Sequence, residues 1–173
     1  ENKTINESFK VRCTGKTELY GQTFHCWKEK GHGLVNLKDA MKQSCDTYFY
    51  EIARILGVDK LKITAEKFGL GKKVLGEYFE NEKQGLFPNT IWKKNNLGKG
   101  WVLGETLITG IGQGYTQTTP LQLCLMTAQI ANGGYKISPK IIVNNKPLNF
   151  QEAKKNMELS STIDPNLQLI KDE

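Results

Sequence analysis

The sequence predicts a mainly helical chain that carries one short β hairpin. Three segments repeat apolar residues at helical spacing between a capping residue and a glycine stop. They cover residues 36–57, 59–69 and 119–133. Near the start, residues 9–13 and 20–27 alternate apolar and polar side chains on either side of a glycine-containing turn, which is the pattern of two paired strands.

Composition limits the function before any motif is considered. The 173 residues suffice for one domain with a real core, and 38 % hydrophobic with 24 % charged residues is ordinary for a globular protein. The net charge of +6 would suit an anionic partner, but the lysines are scattered, which favours solvated faces. No apolar run approaches a membrane span and no signal peptide opens the chain. We therefore expect a segment excised from a longer protein, poorly ordered at 1–8 and 145–173.

The first long helical pattern is interrupted near its middle. It begins at Asn36, and the short polar side chains of Ser44 and Asp46 interrupt it because they compete for backbone hydrogen bonds. We predict two helices here, with Asp46 capping the second and Gly57 ending it. A third helix is predicted over about 59–68.

The region 71–101 shows weak periodicity and is predicted to be rich in loops. Within it, lysines are mixed with tryptophans, and two interpretations stay open. One is a surface loop pinned by its two tryptophans, which we favour, and the other is a surface that stacks bases or sugars. The residues concerned are Trp92, Lys93, Lys94, Lys99 and Trp101. Farther on, residues 136–143 have strand character and 150–157 suggest a short turn of helix.

Three glycines at alternate positions mark the segment 110–115. If this segment is extended, Gly110, Gly112 and Gly114 leave one face of a strand without side chains, so that another chain or a substrate can approach the backbone. A helix follows, opened by a Thr-x-x-Gln capping box at 119–122. The dinucleotide-binding fingerprint and the P-loop are both incomplete in this sequence, which argues against a phosphate cradle.

The triplet Ser44-Cys45-Asp46, followed by the 110–115 segment and a helix opened by Thr-Pro, resembles the transpeptidase domain of class B penicillin-binding proteins, in particular their elongation-specific branch. The resemblance covers about residues 9–140. That family has three active-site motifs, and only Ser-x-Asn is matched, as Ser-x-Asp; Ser-x-x-Lys and Lys-Ser/Thr-Gly are absent. The resemblance therefore implies a partial transpeptidase domain over 1–173. It would be the helical lobe of the α/β transpeptidase fold, with the central sheet largely missing.

The resemblance implies serine acyl transfer on the D-Ala-D-Ala stem peptides of peptidoglycan, with a nucleophile that lies outside this chain. Ser44 would relay a proton to the leaving nitrogen. Asp46 takes the place that Asn holds in most relatives, and an ionised Asp cannot donate a hydrogen bond to a substrate carbonyl. The substrate cleft would be lined by Gly112, Gln113, Gly114 and Tyr115. The chain alone is expected to be inactive.

The same resemblance implies the partners and the location of the parent protein. β-Lactams would acylate it as mimics of the stem peptides, and proteins of the cell-wall elongation complex would bind it. No nucleic-acid partner is expected. The parent would be anchored in the bacterial inner membrane by a segment outside this chain, with this domain on the periplasmic side.

Cys13, Cys26, His32 and Cys45 lie within 33 residues. If the hairpin brings Cys13 across from Cys26, the three thiolates and the imidazole can form a closed tetrahedral zinc site, which would steady the Ser-x-Asp triplet. Two alternatives stay open: a Cys13–Cys26 disulfide, which the location implied by the resemblance permits, and inert buried thiols. Cys124 lies apart, inside the last predicted helix, and is expected to be a core residue.

A second class of function is compatible with the same residues. A small zinc-stabilised module could bind nucleic acid or glycan through the lysine and tryptophan cluster at 92–101. This alternative predicts salt-dependent binding of oligonucleotides, whereas the transpeptidase hypothesis predicts the two missing motifs in the parent sequence.

Overall fold

The structure is a computed structural model that describes residues 5–6, 8–75 and 79–139. The described residues form four strands and six helices. In chain order they are β1 (Val11–Cys13), β2 (Lys16–Leu19), β3 (Gln22–His25), β4 (Gly33–Val35), α1 (Leu37–Gln43), α2 (Asp46–Leu56), α3 (Val58–Lys67), α4 (Thr90–Leu97), α5 (Leu103–Gly110) and α6 (Pro120–Ala131). The helix expected at 150–157 and residues 140–143 of the expected strand lie outside the described residues, and 136–139 are not in a strand.

A mainly helical chain with small antiparallel sheets is confirmed, but its strands pair differently from the prediction. β2 and β3 form the hairpin, which turns through Tyr20 and Gly21, both at positive φ. β1 pairs with β4, so Cys13 lies opposite Gly33. The prediction that the hairpin sets Cys13 across from Cys26 is wrong, because residues 16–25 close on themselves through a two-residue turn and leave β1 to a later strand.

The described residues fall into two compact units. The first contains residues 5–63 and 88–116, the second contains 64–87 and 117–139, and α3 crosses from one to the other. In the first unit α2 packs against β1 and α5. Its buried core consists of Cys13, Cys26, Val35, Ala40, Cys45 and Tyr48. Three of the four cysteines of the sequence therefore lie in one core.

The predicted break after the first helix is confirmed, and so are the two helices that flank it. α1 is capped by Asn36, whose Oδ1 accepts a hydrogen bond from the N–H of Asp39 at 2.8 Å. α2 ends at Gly57, as expected, where φ is 77°. One further helix, α4, occurs within the region 71–101 that was expected to be rich in loops, and another, α5, occurs where no element was predicted. α4 starts after Asn89, whose Oδ1 accepts from the N–H of Trp92, and α5 follows it closely. An asparagine cap is the sequence signal that would have indicated α4.

The second unit is organised by Gln122, whose side chain is fully buried. The predicted capping box is confirmed: the N–H of Thr119 donates to Oε1 of Gln122 at 3.0 Å, and the N–H of Gln122 donates to Oγ1 of Thr119 at 3.2 Å. The amide nitrogen Nε2 donates to the carbonyls of Lys72 at 2.7 Å and Gln84 at 2.8 Å. The buried amide is thus satisfied on both sides, and it joins the start of α6 to the 64–87 segment.

Cys124 is exposed, so its prediction as a core residue is wrong. Leu125, the next residue on α6, is the buried one, and a helix turns about 100° per residue, which carries Cys124 away from the core. Among the described helices, none combines the length and the apolar character that crossing a bilayer requires.

Candidate metal centre and active-site segments

Four side chains with metal-binding atoms meet in the core of the first unit. The Sγ atoms of Cys13, Cys26 and Cys45 and a ring nitrogen of His32 lie within 4.8 Å of one another. The three thiols are buried and His32 is half-buried. All four cysteines of the chain are free. The structure therefore brings together the four residues that the sequence singled out, without the strand pairing that was expected to do so.

The distances within this cluster suit a tetrahedral cation. Nδ1 of His32 lies 3.5 Å from Sγ of Cys26 and 3.6 Å from Sγ of Cys13. Zinc bonds of about 2.3 Å to sulfur and about 2.0 Å to nitrogen separate neighbouring N and S ligands in a tetrahedron by about 3.6 Å. These distances show that Nδ1 is the ring nitrogen that faces the sulfurs. The other ring nitrogen, Nε2, is buried without a hydrogen-bond partner among the described residues.

The thiols of Cys13 and Cys45 have pKa values shifted in opposite directions. Burial disfavours the Cys13 thiolate, but hydrogen bonds from the Thr47 hydroxyl and from the backbone N–H groups of His32 and Gly15 outweigh it and lower the pKa of Cys13 to about 6. Burial, together with the charges of the other two cysteines, raises the pKa of Cys45 to about 12. Packed thiolates repel one another, and a bound divalent cation would offset two of their three negative charges.

Two glycines allow the chain to close around the sulfur atoms. The N–H of Cys26 donates to the carbonyl of Gly15 at 2.8 Å. A Cβ on Gly15 would lie 1.9 Å from the carbonyl oxygen of Glu29, and one on Gly31 would lie 2.2 Å from the carbonyl oxygen of Cys13. Both glycines have positive φ, where side chains are disfavoured. The turns on either side of the cluster therefore tolerate no side chain at these two positions.

Ser44 is an exposed residue in a strained backbone conformation. Its φ of 52° and ψ of 54° are left-handed, and the N–H of the next residue, Cys45, donates to the carbonyl of Ala40 at 2.9 Å. This arrangement ends α1 in a Schellman motif, whose left-handed position is normally glycine. A side chain there costs about 1 kcal/mol. Strain of this kind is often found at functional sites.

Asp46 does not cap α2, so that prediction is wrong. Cys45 is the N-cap residue, it makes no side-chain capping bond, and Asp46 is already helical. The carboxylate instead accepts a hydrogen bond from the backbone N–H of Trp27, with Oδ2 at 3.0 Å. Because this partner comes from the turn after β3, no local capping rule could indicate it. No local pattern indicated a role for Trp27 either.

The segment 110–115 is a turn, so the prediction of a strand is wrong. Gly110 is the last residue of α5. The N–H of Gln113 donates to the carbonyl of Ile108 at 3.0 Å, and the N–H of Gly112 donates to that of Thr109 at 3.0 Å. These bonds form a second Schellman motif, with Gly112 at φ 76° in the left-handed position. The glycines thus serve a helix end and not the bare face of a strand.

Of the predicted cleft residues, Gly112, Gln113 and Gly114 are exposed and Tyr115 is half-buried. The Tyr115 ring lies 5.2 Å from the ring of Trp92, centroid to centroid, and its hydroxyl lies 3.4 Å from Oε1 of Glu105. Tyr115 therefore anchors the end of the exposed turn. No hydrogen bond within the described residues joins this turn to Ser44 or Asp46.

Glu105 also pairs with Lys93, a lysine of the cluster at 92–101, and this lysine is buried. Nζ of Lys93 lies 2.5 Å from Oε1 of Glu105, and both side chains are largely buried. The other carboxylate oxygen accepts a hydrogen bond from the N–H of Val102 at 3.0 Å. The Lys93 ammonium also lies 5.9 Å from the centre of the Trp101 ring. Within the lysine and tryptophan cluster, Lys93 and Trp101 thus make internal contacts, whereas Lys94 and Lys99 are exposed.

Comparison with known proteins decides the family. The family described as the penicillin-binding-protein transpeptidase domain matches residues 1–165. This chain belongs to that family. The predicted fragment of a class B penicillin-binding protein, taken from the helical lobe of the transpeptidase domain, is confirmed, and the relatives below are transpeptidases named MrdA or PBP2.

Among the relatives of this transpeptidase segment, the peptidoglycan D,D-transpeptidase MrdA of Acinetobacter baumannii is 42 % identical over 119 residues, 69 % of this chain and 18 % of that protein. The structure of Pseudomonas aeruginosa PBP2 in complex with WCK 5153 is similar with a TM-score of 0.76 at 38 % identity, covering 85 % of this chain and 34 % of the other. The structure of Helicobacter pylori PBP2 in complex with MreC is similar with a TM-score of 0.75 at 35 % identity, covering 89 % of this chain and 30 % of the other. The segment therefore spans less than a fifth of the curated relative's length.

The alternative of a nucleic-acid or glycan module gains no support from these findings. Of its three cations, Lys94 and Lys99 are exposed, but Lys93 is buried against Glu105. Its tryptophans are likewise engaged, since Nε1 of Trp101 donates to Oγ1 of Thr106 at 2.8 Å and Trp92 lies against Tyr115.

Proposed function

We propose that this segment supplies one wall of the active site of a D,D-transpeptidase that acts on D-Ala-D-Ala stem peptides by serine acyl transfer. The observation that carries the proposal is Ser44, whose hydroxyl is exposed at a helix end in a left-handed conformation that glycine would adopt more easily. Packing does not require a serine at position 44, whereas proton transfer requires the hydroxyl group of one.

Acylation requires one proton to move. The nucleophilic hydroxyl loses its proton, the bond between the penultimate alanine carbonyl and the terminal alanine nitrogen breaks, and that nitrogen gains a proton as it leaves. A serine hydroxyl can donate and accept hydrogen bonds at the same time. Ser44 can therefore pass the proton toward the leaving nitrogen, in the role that general acid–base catalysis gives such a group.

Asp46 takes a supporting role in this proposal. Its carboxylate is engaged by the N–H of Trp27 and, when ionised, cannot donate to a substrate carbonyl. The exposed turn contributes the opposite part of the cleft, with the Gln113 amide available to the peptide and Tyr115 fixed by Trp92.

We further propose that Cys13, Cys26, His32 and Cys45 hold a structural zinc ion. Three thiolates and an imidazole are a closed donor set with no position left for substrate. The measured sulfur–nitrogen distances of 3.5 and 3.6 Å support it. Bound zinc would offset two of the three thiolate charges and cross-link the turns that carry the ligands. Cys45 precedes Asp46 and follows Ser44, so the cross-link would steady the Ser-x-Asp triplet.

The proposed partners follow from the same family. Stem peptides would be the substrates and β-lactams the covalent inhibitors of the whole enzyme. Because the PBP2 of Helicobacter pylori is known in complex with MreC, we propose that the parent of this chain also works in a cell-wall elongation complex. Its place would be the periplasmic side of the inner membrane.

Labelling by a fluorescent penicillin tests the catalytic part. In a full-length transpeptidase that contains this segment, Ser44→Ala should slow acylation by about 100-fold, as expected for loss of a proton relay. The isolated chain should remain unlabelled, because it lacks Ser-x-x-Lys. An unchanged acylation rate in the Ser44→Ala enzyme would reject the assigned role.

Metal analysis of the purified chain tests the zinc site. We expect one zinc per chain, and cobalt in its place should give the intense thiolate absorption of a tetrahedral sulfur-rich site. Cys26→Ser should lose the metal, whereas Cys124→Ser, at an exposed cysteine outside the cluster, should retain it. Absence of metal together with full titration of all thiols would exclude the site.

A further inference from the structure

Trp27 is tied to both sides of the Ser44 corner. Its indole Nε1–H donates to the backbone carbonyl of Gln43 at 3.0 Å, and its backbone N–H donates to Oδ2 of Asp46 at 3.0 Å. Gln43 precedes Ser44, and Asp46 is two residues after it. One residue therefore bonds to the chain before and after the exposed serine.

The indole also touches the cysteine and histidine cluster. Its ring meets that of His32 edge to face, with centroids 5.4 Å apart, and Trp27 directly follows Cys26 in the chain. The residue is nevertheless 64 % exposed. Burial of apolar area therefore explains little of its placement, whereas two hydrogen bonds and an aromatic contact explain it directly.

The bond to Gln43 meets a specific need. The last carbonyls of a helix lack partners within the helix, and Gln43 is the last residue of α1. The left-handed turn at Ser44 directs the chain away from α1, so the Gln43 carbonyl must find a donor elsewhere. The indole N–H supplies that donor from outside the helix and holds the peptide that leads into Ser44.

We propose that Trp27 is a positioning residue for Ser44. It fixes the corner through Gln43 and Asp46, and its contact with His32 links the corner to the metal-binding cluster. The catalytic meaning of this role rests on the proposed function, but the positioning itself is a property of the chain that can be measured without any activity.

Hydrogen exchange on the metal-loaded chain tests the positioning. Trp27→Phe keeps the backbone N–H and an aromatic ring near His32 but removes the indole N–H. We expect the amide of Cys45, which is bonded to Ala40, to exchange at least about fivefold faster, the effect of losing a single hydrogen bond. Trp101→Phe is the matched control, since it removes an indole N–H that donates to Thr106 and should leave the Cys45 amide unchanged.

A second pair of variants keeps the test decisive if Trp27→Phe fails to fold. Asp46→Asn retains an oxygen that can accept from Trp27, so exchange at Cys45 should stay within about twofold of the original, whereas Asp46→Ala should raise it about fivefold. Equal exchange in the Asn and Ala variants would overturn the proposal, and so would unchanged exchange in a folded Trp27→Phe chain.

Acylation of a full-length transpeptidase that contains this segment separates this inference from the proposed function. Trp27→Phe should lower the limiting acylation rate about tenfold while the half-saturating penicillin concentration and the zinc content stay unchanged, because a misplaced relay slows the chemical step. If Ser44→Ala has no effect, the proposed function fails. If Ser44→Ala slows acylation and Trp27→Phe does not, the positioning role fails.

Discussion

Gly110 and Ala53 are in such close contact that Gly110 admits no side chain. A Cβ placed on Gly110 would lie 2.4 Å from the Cβ of Ala53. Gly110 ends α5 and Ala53 lies in α2, so this pair sets how closely the two helices of the first unit approach. The α2 helix also carries Asp46 at its start and the 110–115 turn follows α5, so the packing of these helices determines where both candidate site segments lie.

Gly110→Ala should therefore destabilise the chain by about 2 kcal/mol, the usual effect of overpacking. Ala53→Gly removes the opposing methyl group, and the double variant should recover at least about 1 kcal/mol of the loss. Urea denaturation of the single and double variants measures this coupling. Gly100→Ala is the matched control, since nothing lies within 4 Å of its added Cβ. Additive effects of the two substitutions would show that the helices relax instead of clashing.

Ser44→Gly and Ser44→Ala form a matched pair, because both remove the hydroxyl but only glycine relieves the left-handed backbone at φ 52°. The glycine variant should be more stable than the alanine variant by about 1 kcal/mol. Thermal and urea unfolding measure the difference. In a full-length transpeptidase that contains the segment, both variants should be slow to react with penicillin despite this difference. An active Ser44→Gly enzyme would mean that the hydroxyl matters little and that the turn alone is required.

Gln122→Glu tests the buried amide of the second unit. The substitution keeps the shape of the side chain and replaces Nε2 by an oxygen, so the carbonyls of Lys72 and Gln84 lose their donor and face a buried carboxyl group. We expect a loss of about 3 kcal/mol. Gln117→Glu makes the same change at an exposed side chain and should alter the free energy of unfolding by less than about 0.5 kcal/mol. Similar losses in the free energy of unfolding for the two variants would show that Gln122 does not organise the second unit.

The elements that local sequence signals could predict are those that the structure confirms. α6 was predicted because its cap, Thr119 with Gln122, is complete within four residues. The break at Ser44 was predicted because short polar residues interrupt an apolar helical pattern. The grouping of Cys13, Cys26, His32 and Cys45 was predicted from their residue types and from an expected hairpin, and the structure confirms the grouping but not that hairpin.

Several of the predictions that failed depend on contacts between residues that are distant in the sequence. Alternate glycines at 110–114 imitate a strand, yet Gly110 is required by Ala53, which is far away in the sequence, and Gly112 by the end of α5. The pairing of β1 with β4 depends on how residues 16–25 fold back first. Trp27 was missed for the same reason, because its partners at Gln43 and Asp46 are brought to it only by the tertiary fold.

The Lys93–Glu105 pair provides the last prediction. With both side chains largely buried, removing the cation leaves a carboxylate that has lost its ammonium partner and keeps only the Val102 N–H and the distant Tyr115 hydroxyl. Lys93→Met should therefore cost about 3 kcal/mol. The double variant Lys93→Met, Glu105→Gln should be more stable than Lys93→Met alone, since no uncompensated charge remains buried.

The neighbouring Lys94 gives the control for this pair. It is exposed on the same helix, so Lys94→Met removes an equal charge and should change the free energy of unfolding by less than about 0.5 kcal/mol. Because Tyr115 reaches Glu105 and stacks near Trp92, Lys93→Met should also speed amide exchange in the 110–115 turn, and Lys94→Met should not. If the two lysine variants unfold at the same urea concentration, the Lys93–Glu105 pair does not stabilise the 110–115 turn. The aromatic contact between Trp92 and Tyr115 must then hold that turn.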